Sequence, residues 1–236
     1  MFDKFLLLGF GPGGWGAALL EAAGITLLLS VAGFALGIVF GGLAAAGRLS
    51  TARLPRGIAS AYGIVFRGVP DLLTIYFFYY GGSVALTALF RLFGAEGFAG
   101  LPTLATGIVT IGFISGAYQA EVYRGAYLAV AQGQFDAAKA LALTRFQMLR
   151  LVIVPQLLRH AIPGLGNVWQ LVLKDSALIS VIGLVELMRQ AQIGAGSTRE
   201  PFFFYGAAAA LYFAIAGITG FVFTRAEANA ARGAVH

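Results

Sequence analysis

Apolar residues fall along this chain in blocks too long for an ordinary soluble core. Stretches free of Asp, Glu, Lys and Arg cover residues 22–47 (26 residues), 72–90 (19), 97–120 (24) and 201–224 (24). At about 1.5 Å per residue, about 20 mostly apolar residues cross about 30 Å of hydrocarbon. Each block therefore predicts a membrane-spanning helix. Residues 160–185 are equally apolar except at Lys174 and Asp175, and predict a fifth span carrying a polar step. With their flanks, the spans are expected near 22–47, 61–90, 97–126, 160–185 and 201–224. Pro102 and the run 197–201 read as span starts, since proline suits a first helical turn and Ser or Thr caps it. Gly33, Gly37 and Gly41 repeat at the G-x-x-x-G spacing, either general membrane-helix composition or a dimer seam. The first 20 residues are interrupted by Gly9, Gly11, Pro12, Gly13 and Gly14, which argues against a signal peptide. They predict a periplasmic interfacial segment, with Phe5, Phe10 and Trp15 near the headgroups.

Composition sharpens this picture. Hydrophobic residues make up 59% of the 236 and charged residues 11%, against about 25% charged in a soluble domain. The net charge of +6 comes from basic residues scattered between apolar blocks, with no basic stripe for nucleic acid. They report topology instead. Arg48, Arg53, Arg56, Lys139, Arg145, Arg150, Arg159, Arg225 and Arg232 fall on one side, nine in all, against four, Lys4, Arg91, Arg189 and Arg199, on the other. The basic side faces the cytoplasm, which puts the N-terminus in the periplasm and the C-terminus inside. The absence of cysteine, with histidine only at 160 and 236, argues against disulfides, thiol chemistry and a metal centre. No catalytic group and no cofactor bound by this chain is expected.

Residues 132–160 are the one long stretch that is neither span nor tight loop. Phe135, Ala138 and Ala142 share one apolar helical face that could pack under the membrane domain. Thr144, with Gln147 three residues on, marks a capping box opening a second helix, whose face carries Phe146, Leu149, Val152 and Ile153. Pro155 is expected to end or bend that helix. Nothing here resembles a nucleotide-binding loop, so if this chain moves something uphill, the energy must come from another chain or an ion gradient. This protrusion is where a partner would push.

Charges within apolar regions are candidates for a pathway or gate. Arg67 and Asp71 are four apart and could face each other across one turn, although Pro70 lies between them. Glu121 and Arg124 are three apart, the spacing of a local salt bridge. Lys174 and Asp175 are adjacent and must point different ways around a helix, and Glu186 follows shortly after.

Several stretches resemble one family. Gly133-Gln-Phe-Asp-Ala-Ala-Lys-Ala-Leu-Ala-Leu-Thr, closed by Val152-Ile-Val-Pro155, is similar to the EAA motif of the membrane subunits of bacterial ABC importers. Asp136, Ala137 and Ala138 stand at the Glu-Ala-Ala positions, and Ala142 stands where that motif usually has glycine. Alanine lacks glycine's freedom at positive φ, so the turn at 142 is expected to do without it. Arg67-Gly-Val-Pro-Asp-Leu, Gly116-Ala-Tyr-Gln-Ala-Glu-Val-Tyr-Arg-Gly and the long run from Pro163 through Lys174-Asp175 resemble the polar amino acid branch. The resemblance runs from about residue 16 to 225 and is nearest to the Q-type subunits of histidine/arginine/ornithine, octopine and nopaline permeases.

That resemblance implies an all-α polytopic protein with five transmembrane helices and the type I ABC importer transmembrane fold, its domain spanning about 21–225 before a cytoplasmic tail at 226–236. It implies a non-enzymatic permease subunit in the bacterial inner membrane that passes a polar, basic amino acid or an opine. Its implied partners are a second permease subunit, favoured as a heterodimer, two cytoplasmic ATPase subunits that use ATP and Mg, and a periplasmic substrate-binding protein. Gly133, Asp136, Ala137, Ala138, Leu141, Ala142, Phe146 and Pro155 would couple to the ATPase. Arg67, Asp71, Glu121, Lys174, Asp175 and Glu186 are the pathway or gate candidates. The alternative is an ion-coupled secondary transporter subunit, which would be expected to show paired repeats that five spans do not supply.

Overall fold

The computed structural model describes residues 7–94 and 97–232. All the regular secondary structure in that range is helical. Helix α1 is Gly16–Leu49, α2 is Arg53–Gly68, and α3 runs from Asp71 to Leu92 through a π-turn at Phe77–Gly81. Helix α4 is Thr103–Ala129, α5 is Gln132–Ala140 and α6 is Arg145–Met148. A π-turn at Leu149–Ile153 leads into α7, Val154–Asp175, which ends in a 3-10 turn at Ser176–Ile182; α8 is Leu187–Thr198 and α9 is Pro201–Arg232.

Three of these helices, α1, α3 and α9 as far as Ala230, are long and apolar enough to cross a membrane by length and composition. Helix α4 is also long, at 27 residues, but carries Thr106, Thr110, Ser115 and Gln119, all buried. These side chains find acceptors within the protein. Thr110 donates to the carbonyl of Thr106 at 2.8 Å, and Ser30 of α1 bonds back to the carbonyl of Thr26 at 2.8 Å in the same way. In a medium without water every polar group needs such a partner.

Helices α1 and α4 form the spine. The glycine ladder of α1 lies against α4: a Cβ on Gly41 would sit 2.8 Å from Cβ of Gln119 and 3.0 Å from the carbonyl of Gly116. One on Gly37 would collide with Ser115 Oγ, and one on Gly33 with the side chain of Ile111. Gln119 then donates to the carbonyl of Phe34 at 3.1 Å, and Tyr123 donates to Gln119 at 3.0 Å. The seam therefore closes two helices of the same chain. A second layer is built on Leu29, Ile75, Ile111, Val168, Val172 and Ile179, which joins α1, α3, α4, α7 and the 3-10 turn. At one end of the molecule α8 and α9 pack on α1 through Leu19, Leu187, Ala191 and Phe204.

Several expectations are corrected. The stretch 61–90 is not one helix: Val69 is extended at ψ 135° and the chain restarts at Asp71. Pro70 removes a backbone donor and pushes the residue before it out of the helical region. Residues 160–185 are not one α-helix either, because α7 gives way to the 3-10 turn and then to Gly183 at φ 93°. Of the two outcomes expected at Pro155, an end or a bend, the helix does not end there. The π-turn before it widens the backbone and places Pro155 in the first turn of α7, where its missing N–H costs little. Ser197 and Thr198 do not cap α9: they close α8, where Thr198 donates to the carbonyl of Gly194 at 2.8 Å. Residues 16–20 belong to α1, and Trp15 packs edge-on against Phe204 at 5.6 Å. Lys4 and Phe5 lie outside the described residues.

Candidate functional site

The segment 132–160 forms two helices meeting at a tight turn. Thr144 and Gln147 make the reciprocal capping box: the Gln147 N–H donates to Thr144 Oγ1 at 3.3 Å and the Thr144 N–H donates to Gln147 Oε1 at 2.9 Å. Helix α5 ends in a Schellman motif. The N–H of Leu143 donates to the carbonyl of Ala138 at 3.1 Å and that of Ala142 to Lys139 at 2.9 Å. Ala142 accordingly sits at φ 56°, contrary to the expectation that this turn avoids positive φ. The pair of bonds demands a left-handed residue at that place whatever side chain occupies it.

Exposure sorts the coupling candidates. Leu141 and Phe146 are 73% and 70% exposed, and Gly133, Asp136, Ala137, Ala142 and Pro155 are exposed with them. Ala138 is 1% exposed and faces its own chain, a correction to its place among docking residues. Phe135 beside it lies edge-on to Tyr127 at 5.6 Å, so this face holds the protrusion to α4. Asp136 pairs with Lys139 at 3.2 Å on the outer face.

The charged candidates divide into three groups. Glu121 on α4 is held by three arginines: Arg48 from the end of α1, Arg67 from α2 at 2.8 Å, and Arg124 from its own helix at 3.0 Å. The i, i+3 pair is as the spacing predicts. Arg67 turns to Glu121 rather than to Asp71, because the break at Pro70 swings α3 away from the axis of α2. Arg48 was not singled out in the sequence, since it lies 73 positions from Glu121 and no local spacing links them.

Lys174 and Asp175 diverge as adjacent helical residues must. Lys174 is exposed and lines an open groove of about 570 Å³ with Gln170, Met188, Tyr205 and Tyr212, whereas Asp175 is buried where α7 turns into the 3-10 segment. Asp175 lies within electrostatic reach of Asp71 at the start of α3, and Tyr118 of α4 feels both carboxylates. The structure thus gathers residues of three helices around this step.

Glu186 is fully buried and accepts four hydrogen bonds. Oε1 accepts from the Arg189 N–H at 2.8 Å; Oε2 accepts from the Met188 N–H at 2.9 Å, the Tyr212 hydroxyl at 2.8 Å and the Thr26 hydroxyl at 3.3 Å. It caps α8 and ties that helix to α1 and α9. Among the described residues no group of three or more His, Cys, Asp or Glu is arranged to hold a metal ion.

A multi-helix membrane fold carrying an exposed helix-turn-helix beside a basic knot is the architecture of a transporter's membrane component. The family described as "Binding-protein-dependent transport system inner membrane component" matches residues 37–231. The octopine transport system permease protein OccQ of Rhizobium meliloti is 52% identical over 227 residues, 96% of each chain. The nopaline permease protein NocQ of Agrobacterium fabrum is 43% identical over 228 residues, covering 96% of this chain and 97% of its own. Among solved structures, the crystal structure of an amino acid ABC transporter with histidines matches at TM-score 0.77 and 30% identity, over 91% of this chain and 95% of that one. This chain belongs to the family of binding-protein-dependent transport system inner membrane components. It is a multi-pass inner-membrane permease subunit with no catalytic role of its own, working with an ATPase and a substrate-binding protein.

Proposed function

We propose that this chain, with a paralogous permease subunit rather than a second copy, lines the inner-membrane pathway for a basic amino acid or an opine. The observation that carries this reading is the full-length similarity to an octopine permease protein at 52% identity. It is supported by the buried Asp175 near Asp71, where the positive end of such a substrate would gain an opposite charge. Helices α1, α3, α4, α7 and α9 serve as the five spans, with the N-terminus periplasmic. The nine basic residues of the loops after α1 and α4 and of the C-terminal end favour that orientation. Phosphatase fusions at residues 95 and 193 should be active and those at 145 and 236 inactive.

The exposed turn of Asp136, Ala137, Leu141, Ala142 and Phe146, flanked by Gly133 and Pro155, docks into a groove on one ATPase partner, and the ATPases use ATP and Mg; this chain binds no cofactor. Arg67 and Glu121 brace the cytoplasmic end of the bundle, and Glu186 holds the opposite end. Lys174 sits on the wall of the pathway.

The test is reconstitution with the ATPase, the paralogous subunit and the binding protein in proteoliposomes. Binding protein loaded with octopine or arginine should stimulate ATP hydrolysis, and Ala137→Trp should abolish that stimulation with normal insertion. Full stimulation in Ala137→Trp would refute the docking role, and stimulation by neutral amino acids alone would refute the substrate class. Ala138→Trp is expected instead to deplete the folded chain, because that side chain is already enclosed.

A further inference from the structure

Between α1 and α2 lies an apolar groove of about 390 Å³ that the transport reading leaves unused. Leu43 of α1, Ile58 and Tyr62 of α2 and Phe113 of α4 form its walls, and Gly47 and Pro55 close it beside the turn joining α1 to α2. Its one wall hydroxyl is already engaged: Tyr62 donates to the carbonyl of Phe113 at 2.6 Å. With that proton taken and the rest of the lining almost entirely apolar, the groove suits a hydrocarbon chain.

The end of the groove is charged. No Asp or Glu occurs between Glu21 and Asp71, yet this stretch holds Arg48, Arg53, Arg56 and Arg67. Arg48 and Arg67 are taken by Glu121. Arg56 makes two bonds, at 3.0 and 2.7 Å, to the carbonyl of Ser50, which fixes the guanidinium over the turn without neutralising it. Among the described residues neither Arg53 nor Arg56 forms an ion pair. The apolar block of α1 ends at Gly47, so this turn lies at a membrane–water boundary. Helix α2 leaves Leu54 and Ile58 75% and 63% exposed beside these arginines. A basic, amphipathic helix with this arrangement lies in the interface plane.

We infer that the α1–α2 groove binds an anionic phospholipid, its phosphate on Arg53 and Arg56 and one acyl chain along Ile58 and Leu43. Charge complementarity selects this occupant: the site pairs two uncompensated cations with a dry slot, and a lipid carrying net negative charge matches both. A zwitterionic lipid fills the slot and satisfies the arginines less. The bound lipid pins α2, and through Arg67 the Glu121 knot, to the membrane surface.

The experiment uses the assembled transporter, purified in mild detergent, stripped of lipid and exposed to phosphatidylglycerol and phosphatidylcholine of identical chains, with retained lipid read by native mass spectrometry. At about fivefold per arginine near a membrane surface, phosphatidylglycerol should be preferred by about 30-fold. Arg53→Gln with Arg56→Gln should reduce that preference to near unity while the subunits still copurify and basal ATP hydrolysis is unchanged. Equal retention of the two lipids by the parent protein would overturn the proposal. So would displacement of phosphatidylglycerol by millimolar inorganic phosphate, which would make the site one for free anions. Because the chain has no cysteine, Ile58→Cys gives a single reporter thiol, and its efficient cross-linking to the second permease subunit would show protein in the groove and overturn the lipid assignment.

Discussion

Ala142 carries left-handed backbone at a position where glycine would be at ease. An L-residue pays roughly 1–2 kcal/mol for that conformation, and the two Schellman bonds hold it there. Ala142→Gly should relieve about 1 kcal/mol of local strain, offset in part by the greater freedom of glycine in the open turn. Hydrogen exchange at the amides of Ala142 and Leu143 is the measurement, and slower exchange is expected. Faster exchange would mean the turn is held by something other than its backbone geometry. Glu121 presents the converse situation, one carboxylate serving three guanidinium groups at 21–36% side-chain exposure. Glu121→Gln leaves Arg48, Arg67 and Arg124 facing one another, whereas Arg124→Gln leaves Glu121 still doubly paired. Partial exposure places the first loss between those of surface and buried pairs, at about 1–3 kcal/mol, and the second below about 1 kcal/mol. Thermal unfolding in detergent should rank the variants in that order, and equal losses would show that the knot is not centred on Glu121.

The helices themselves were largely legible, because uncharged blocks and turn residues are local signals. The capping box at Thr144 and Gln147 could be read directly, since a cap is decided within four residues. The G-x-x-x-G ladder announced close approach but not its partner, which proved to be α4 of the same chain. Gly37→Val should therefore destabilise the monomeric fold by about 1–3 kcal/mol or more through overpacking, since its Cβ would meet Ser115 Oγ and lie 2.6 Å from Gln119 Nε2. The readout is folded chain recovered from membranes containing this subunit alone. Normal recovery there, with loss only of subunit association, would return the ladder to a dimer seam. The breaks were harder to foresee. Pro70 breaks the helix locally, giving two helices in place of one, but the acid that Arg67 reaches instead of Asp71 is Glu121, far away in sequence.

Across the molecule, the substrate reading centres on the step where α7 passes into the 3-10 turn. Asp175→Asn should lower uptake of arginine more than of glutamine when both are delivered to proteoliposomes, normalised to inserted subunit. An unchanged uptake ratio would make Asp175 a packing residue. The membrane class, the run of helices and the similarity to importer subunits were available from residue order alone, because hydrophobic block length and local motifs are properties of contiguous sequence. The same order placed Glu186 and Ala138 among functional candidates. Folding brought Thr26 and Tyr212 to Glu186, beyond its local cap on α8, and turned Ala138 inward against its own chain. It also joined Arg48 to Glu121 and set Asp71 near Asp175. Those partnerships join residues tens of positions apart, so their geometry arises from how the helices pack, which no window along the chain contains.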